Sequence, residues 1–513
     1  MQQDNDVHHT PVVIVGAGPT GATAAILLAQ YGVSTLILDR WDGVYPQPRA
    51  VHLDDEVYRV LARLGVAERF AAISRPAHGL QLRDHDHRVL AEFRRAITPS
   101  GNGFPQANMF DQPELESVVR EHLSRYPSIE LRGNSEVTDV EQLDDGRLRV
   151  TYRSQVDDTT RTLDANYVLG CDGANSLVRS TIGSRMDDLH FQQRWLVIDV
   201  DTDADLGQWE GVHQVCDSAR AATYMRIGAT RYRWEFQLLD GETAEHFSGL
   251  ETVGPLIAPW CRGVRDDQLT LIRVAEYTFR AQIADRWRRG NVFLLGDAAH
   301  LTPPFIGQGM GAGLRDAHNL SWKLAGVLSG ELPPSALDSY ALERKPHARA
   351  MIRLALAVGR FMTAGGEVGS VLRGVVVPRL GLIPGVRNRI VDSSTPALRR
   401  SSFVQGRRGP RSLTGTLCPN PTLPDSRRLD DTLGLGFALV TATPLTPDQH
   451  LLIKQRGATT HFAAPGSELA QWLRRGHAVA AVIRPDRTVM ATSRRLADLL
   501  TTVPQFTVTE NQP

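Results

Sequence analysis

The chain has 513 residues, of which 42% are hydrophobic and 22% charged, and 57 basic side chains balance 57 acidic ones. That length exceeds one ordinary core and fits two or three packed globular domains, while the balanced charge argues against a non-specific nucleic-acid binder. No apolar stretch approaches the roughly 18 residues that span a bilayer, and the polar opening lacks the basic and apolar regions of a secretory signal, so residence in the cytoplasm without a membrane partner is expected.

In chain order, the β-branched run 11–15 leads into Gly16-Ala17-Gly18-Pro19-Thr20-Gly21, an Ala/Leu-rich segment ending near Gly32, and the run 33–39. This reads strand, tight turn, helix, strand. Asp39 closes the second strand, and Arg40 follows it. In such a unit the first glycine permits the turn and the second lets the backbone approach a pyrophosphate. The third allows close helix packing, and the acid can accept from ribose hydroxyls. A dinucleotide site is predicted, with FAD or NAD still open.

Residues 129–171 alternate apolar and polar around the turn Asp144-Asp145-Gly146, which predicts antiparallel strands before the apolar run 167–170. Between about 189 and 279 the pattern is again strand-like, as expected of a separate sheet domain. A buried strand at 291–295 is followed by a loop and a helix over 313–330. From 338 to about 395 helical periodicity is interrupted by glycines, Pro378 and Pro384. The Arg-, Pro-, Ser- and Gly-rich stretch 399–428 reads as a linker, and a last unit has strands at 436–441 and 478–483. Cys171, Cys216, Cys261 and Cys418 are far apart with no C-x-x-C pair, which predicts buried free thiols and no metal.

Two further acidic turns decide the ligand. Gly170-Cys171-Asp172-Gly173 follows the apolar run, and Gly296-Asp297-Ala298-Ala299-His300, continuing through Pro303 to Gly309, follows the strand at 291–295. A nicotinamide domain needs neither. With these residues the chain resembles the flavoprotein aromatic hydroxylases, the p-hydroxybenzoate hydroxylase-like FAD monooxygenases, from about residue 10 to 350 and more loosely beyond.

The resemblance implies FAD held by Gly16, Gly18, Pro19, Thr20, Gly21, Asp39 and Arg40, with Asp297 on the ribityl chain or a ribose and Asp172 positioning the cofactor. It places Arg49, in Pro48-Arg49-Ala50, and Gln112 against FAD. Pro303, Gly307, Gln308, Gly309, Met310 and Gly311 lie at the flavin end, where the following helix can point its positive end at the ring. Gly311 stands where the family usually has Asn. Asp316, Asn319, Trp322, Lys323 and Leu324 match a family helix whose Trp reads as core.

By the same resemblance the function is single-component hydroxylation of a small phenolic substrate, with NADH or NADPH as donor and O₂ used through a flavin hydroperoxide. Asp54, His52 and Pro303 are the catalytic candidates, although Asp54-Asp55-Glu56 also reads as an acidic first helical turn. Tyr224, Tyr232 and Arg226 are candidate substrate contacts, although the two tyrosines could equally face the core, and Arg226, Arg231 and Arg233 could hold a carboxylate, although alternating arginines on a strand also face solvent.

Length and Arg484-Pro485-Asp486 bring the chain nearest the 3-(3-hydroxyphenyl)propionate hydroxylase-like branch. The implied fold is mixed α/β (α+β). A Rossmann-like FAD-binding domain covers 9–80, 105–188 and 280–398, and a substrate-binding sheet domain covers 81–104 and 189–279. After the linker comes a thioredoxin-like domain, 429–513, without C-x-x-C and so with a packing or homodimer role. The alternatives are a quinolone, polycyclic or antibiotic-like substrate, or a non-catalytic flavin-binding module.

Overall fold

A computed structural model describes residues 9–46, 49–363, 395–406, 409 and 411–508. Pro48, Pro378, Pro384 and the polar opening residues fall outside the described residues.

The strand His9–Val15 lies parallel between Thr35–Leu38 and Thr160–Gly170, and the sheet continues to Val292–Leu294 on one side and Ile129–Arg132 on the other. Val12, Val13 and Ile14 are all fully buried. Both faces of this strand are covered, as expected for a parallel sheet, so its sequence is continuously apolar rather than alternating. The helix Pro19–Gln30 carries an unbroken buried run from Gly21 to Gln30. Ser135–Gln142 and Leu148–Ser154 form the antiparallel strands expected before the 167–170 run. Ile129–Arg132 instead pairs parallel with Thr35–Leu38, because the helix Gln112–Leu123 supplies the crossover that a parallel strand needs.

A second sheet takes the order His300–Leu301, Thr270–Ala284, Met186–Asp201, Arg231–Gln237, Ala222–Arg226, Val212–Val215, Gly79–Arg83, Val89–Arg94. The strand-like reading of 189–279 missed the helix Leu250–Ile257. Its buried residues, Val253 and Ile257, are four apart on one helical face and join Tyr224, Tyr232, Trp234 and Trp260 in a core on one side of the sheet.

The chain from 429 onward builds a four-stranded sheet in the order Thr459–Phe462, Ala438–Thr441, Ala480–Ile483, Val489–Ser493. Trp322 is buried among Phe403, Phe437 and Phe506 and so joins the helix Gly309–Leu328 to this unit. Beside it, Lys323 pairs with Glu343 at 2.9 Å and Glu343 with Arg484 at 3.0 Å, all fully buried. The four cysteines are free, Cys171 half-buried and the others buried. Among the described residues no helix is long and apolar enough to cross a membrane, and no group of side chains forms a metal site.

Candidate active site

The glycine turn is dictated by close approach. Gly16 has φ +100°, and a Cβ there would lie 2.5 Å from the Cys171 carbonyl oxygen. At Gly21 a Cβ would lie 2.0 Å from the Gly16 carbonyl oxygen. A Cβ at Gly18 would meet nothing within 4 Å, so this position opens into space. The Asp39 carboxylate braces the loop, accepting from Ala17 N at 2.6 Å and Trp41 N at 2.8 Å, with Arg120 3.4 Å away. Arg40 lies exposed over the Trp41 ring.

A cavity of about 610 Å³ joins this turn to the second sheet. Gly18, Pro19, Thr20, Arg49 and Gln112 line it, as do Asp297 and the segment from Gly307 to Met310. The Gln112 side-chain oxygen accepts from Arg49 N at 3.0 Å and from Ala50 N at 2.5 Å, and this fixes the arginine loop. Arg49 also stacks on Tyr45.

Burial pushes the Asp297 carboxyl up, against the pull of His300 and Arg49. It accepts no hydrogen bond among the described residues, so its oxygens await a donor. The turn that carries it is held by Asp316, which accepts from Gly296 N at 3.0 Å, His300 Nε2 at 2.8 Å and Arg344 Nε at 2.8 Å. A Cβ at Gly296 or Gly313 would lie 2.8 or 2.2 Å from Thr20 Oγ1, so both glycines let this turn and the helix Gly309–Leu328 close on the first motif. That helix begins at the cavity with no side-chain cap, leaving its first N–H groups for a ligand. Gly311 faces the helix Asp55–Leu64, where a Cβ would lie 2.8 Å from Val57 Cγ2, a packing reason for the departure from Asn.

The remaining expected residues divide into those that line the cavity and those that do not. His52 lines it, and a Cβ at Gly307, where φ is +61°, would lie 2.7 Å from its Nδ1. Burial, with Arg95 adding to it, lowers the His52 pKa to about 4, so the imidazole is neutral at pH 7, and its Nδ1 has no hydrogen-bond partner among the described residues. Asp54 is fully buried and off the cavity wall. It caps the helix Asp55–Leu64 by accepting from Val57 N at 2.9 Å, and it pairs with Arg315 at 2.6 Å and Gln308 at 2.9 Å. Pro303 is buried at the start of the turn Pro304–Ile306, and Pro304 lines the cavity beside it. Asp172 braces the start of the short helix Leu177–Thr181, accepting from its cap residue Ser176 Oγ at 2.5 Å and from Val178 N at 3.0 Å, while its neighbours Cys171 and Gly173 reach the cavity.

Tyr224, Tyr232 and Arg226 lie on the other face of the second sheet. The tyrosines are buried in its aromatic core, and Arg226 pairs with Glu210 at 3.1 Å. Strand alternation moves the cavity face one residue along, to Thr223 and Met225 on one strand and Glu235 on the next, with Gln214 and Trp195 beside them. The alternation of 222–226 and 231–237 is visible in the sequence and marks two faces. Which face meets the cavity is a tertiary fact.

A family model described as an FAD binding domain matches residues 9–355. The chain belongs to this FAD-binding family. It is 32% identical, over 95% of its own length and 93% of the relative's, to a probable NADH-specific resorcinol 4-hydroxylase of Rhodococcus jostii (strain RHA1). It is also 32% identical, over 96% and 95%, to 3-(3-hydroxy-phenyl)propionate/3-hydroxycinnamic acid hydroxylase 2 of Burkholderia vietnamiensis (strain G4 / LMG 22486). Among solved structures, aklavinone-11 hydroxylase in complex with FAD and aklavinone superposes with a TM-score of 0.79, at 23% identity and 99% coverage of both chains, and so shares the fold. The protein is an FAD-dependent enzyme of the flavoprotein aromatic hydroxylases. Its residues suit the cofactor. Gly18 leaves room for a pyrophosphate, Asp297 offers an unpartnered acceptor to hydroxyls, and an uncapped helix end faces the same cavity.

Proposed function

We propose that the protein hydroxylates a phenolic ring, with NADH as electron donor and O₂ as oxygen source. The carrying observation is that one cavity holds both the FAD cradle, at Gly18, Asp297 and Gly309, and a sheet wall of mixed character, at Trp195, Gln214, Thr223 and Met225. The likeness to a probable NADH-specific hydroxylase of Rhodococcus supports NADH over NADPH.

When bound, FAD supplies the electron transfer and the activation of oxygen. The protein's part is to hold, orient and shield. The Gly18 turn takes the pyrophosphate, Asp297 accepts from hydroxyls of the flavin chain, and the Gly309 helix end favours negative charge at the ring. Trp195 and Phe305 pack edge to face with centroids 6.2 Å apart, and with Phe279 they give the wall an aromatic surface. His52, held neutral by burial, is an imidazole on the wall that can exchange a hydrogen bond with the substrate hydroxyl.

The test is NADH oxidation by the purified yellow protein with resorcinol and with 3-(3-hydroxyphenyl)propionate, the product identified by mass. At least one phenol should stimulate oxidation and gain one oxygen atom. FAD-loaded protein whose O₂ uptake no phenol stimulates would sink the reading.

A further inference from the structure

The sheet wall carries an acid that the FAD cradle does not use. Gln214 pairs with Thr223 across one strand boundary and Thr223 with Glu235 across the next, so the three side chains form a row on the cavity face. Thr223 Oγ1 donates to Gln214 Oε1 at 2.8 Å, and Gln214 Nε2 donates to the Ala222 carbonyl at 3.1 Å. The Glu235 carboxylate ends the row at 8% exposure and accepts no hydrogen bond among the described residues. Burial pushes its carboxyl up, while nearby Arg233 pulls it down.

The arginines of this region that were expected to hold a substrate carboxylate have acidic partners of their own. Arg233 pairs with Asp199 at 2.7 Å, Arg231 with Asp111 at 3.6 Å, and Arg226 with Glu210 on the opposite face. Arg273 shares Asp199 at 3.2 Å. Of the arginines that do line the cavity, Arg49 belongs to the FAD loop, Arg280 is exposed, and Arg95 acts on His52. Glu235 and Asp297 are the two carboxylates among the described lining residues, and Asp297 serves FAD. A carboxylate that faces the cavity with no protein donor favours a ligand that supplies one, and in its charged form it opposes a second carboxylate placed beside it.

We propose that Glu235 sets substrate choice. It accepts a hydrogen bond from one hydroxyl of an uncharged ring bearing at least two, and it disfavours phenols whose side chain ends in a carboxylate. This rests on the phenol-hydroxylase reading.

The test uses the FAD-loaded enzyme and the ratio of kcat/KM values for resorcinol and 3-(3-hydroxyphenyl)propionate. The native protein should favour resorcinol, and it should prefer the methyl ester of the propionate to the free acid. Glu235→Gln, whose amide oxygen still accepts but without the charge, should keep its flavin, lose roughly tenfold in kcat/KM for resorcinol, and narrow or reverse the preference. Kd values for resorcinol from flavin absorbance titration should weaken in step. A native enzyme that uses the acid as well as its ester or resorcinol overturns the proposal without any variant, as does an unchanged ratio in Glu235→Gln. Either result leaves the hydroxylase reading standing. If no phenol stimulates the FAD-loaded enzyme, both fall together.

Discussion

The two ends of the cavity are built on opposite principles. At the FAD end backbone shapes the working surface around a few side chains such as Asp297 and Arg49: Gly16, Gly18 and Gly21 shape a turn, Gly296 and Gly313 close on Thr20, and an uncapped helix end faces inward. At the sheet end it is side chain, with Gln214, Thr223, Met225 and Glu235 projecting from neighbouring strands. Backbone geometry suits a cofactor that never changes, because few substitutions can alter it. A wall of side chains can be re-chosen one residue at a time while the strands stay in place, and it suits a ligand that differs among relatives.

The sharpest way to break this comparison is at the glycines. Gly21→Val should give no soluble flavoprotein, since its Cβ meets fixed backbone at 2.0 Å. Gly18→Ala, in open space, should fold with a near-native melting temperature and lose flavin affinity. The ratio of flavin to protein absorbance and a thermal melt separate the two cases. If both variants behave alike, the distinction between packing glycine and ligand-approach glycine fails.

Asp54 tests the boundary between scaffold and site. Asp54→Ala leaves Arg315 buried without its partner and removes a helix cap, so urea unfolding should show a loss of roughly 3 kcal/mol or more. The pH profile of kcat on the folded protein should keep its shape, whereas a lost acidic limb would give Asp54 a direct role.

A smaller effect concerns the junction with the C-terminal unit. Burial alone would raise the Asp430 pKa, but Arg59, 2.6 Å away, and Arg487 outweigh it and hold the group at about 2 against an ordinary 3.8. Because the folded value is depressed, its contribution of roughly 2 kcal/mol is complete above about pH 4 and is lost as pH falls towards 2. Asp430→Asn should therefore be destabilised at pH 7, with the gap to the native protein closing in acid. A gap independent of pH would refute the pairing.

The smallest change expected is at Tyr224→Phe, on the far face of the sheet, where kcat/KM should move less than twofold and stability by about 0.5 kcal/mol. A large kinetic effect there would mean that both faces reach the ligand.

How much of this was legible in the sequence follows from the same contrast. The FAD end could be read because a tight turn or close approach demands glycine, and that demand is written as a residue type at fixed spacing. Gly16 at φ +100° and Gly21 against the Gly16 carbonyl are cases in point. The sheet wall could not be read so. Tyr224 and Tyr232 could equally face the ligand or the core, because alternation alone does not say which face turns inward. Glu235 carried no signal beyond being one acid in a strand. The helix Leu250–Ile257 was hidden because two buried residues make too short a period to stand out among strands. Asp316 was recognised only as part of a helix match, because its partners lie elsewhere in the chain, Gly296 and His300 in one turn and Arg344 on a later helix.

The Lys323–Glu343–Arg484 cluster constrains how this enzyme can be re-engineered. Its members sit on the helix that opens at the flavin, on the helix after it, and at the end of a strand in the C-terminal unit. Removing that unit would strip one buried cation from the pair and uncover Trp322. The tail therefore cannot be trimmed or exchanged between relatives as a cassette. A chimera would have to carry Lys323, Glu343 and Arg484 across together, with the aromatic residues around Trp322, for the flavin helix to keep its seat.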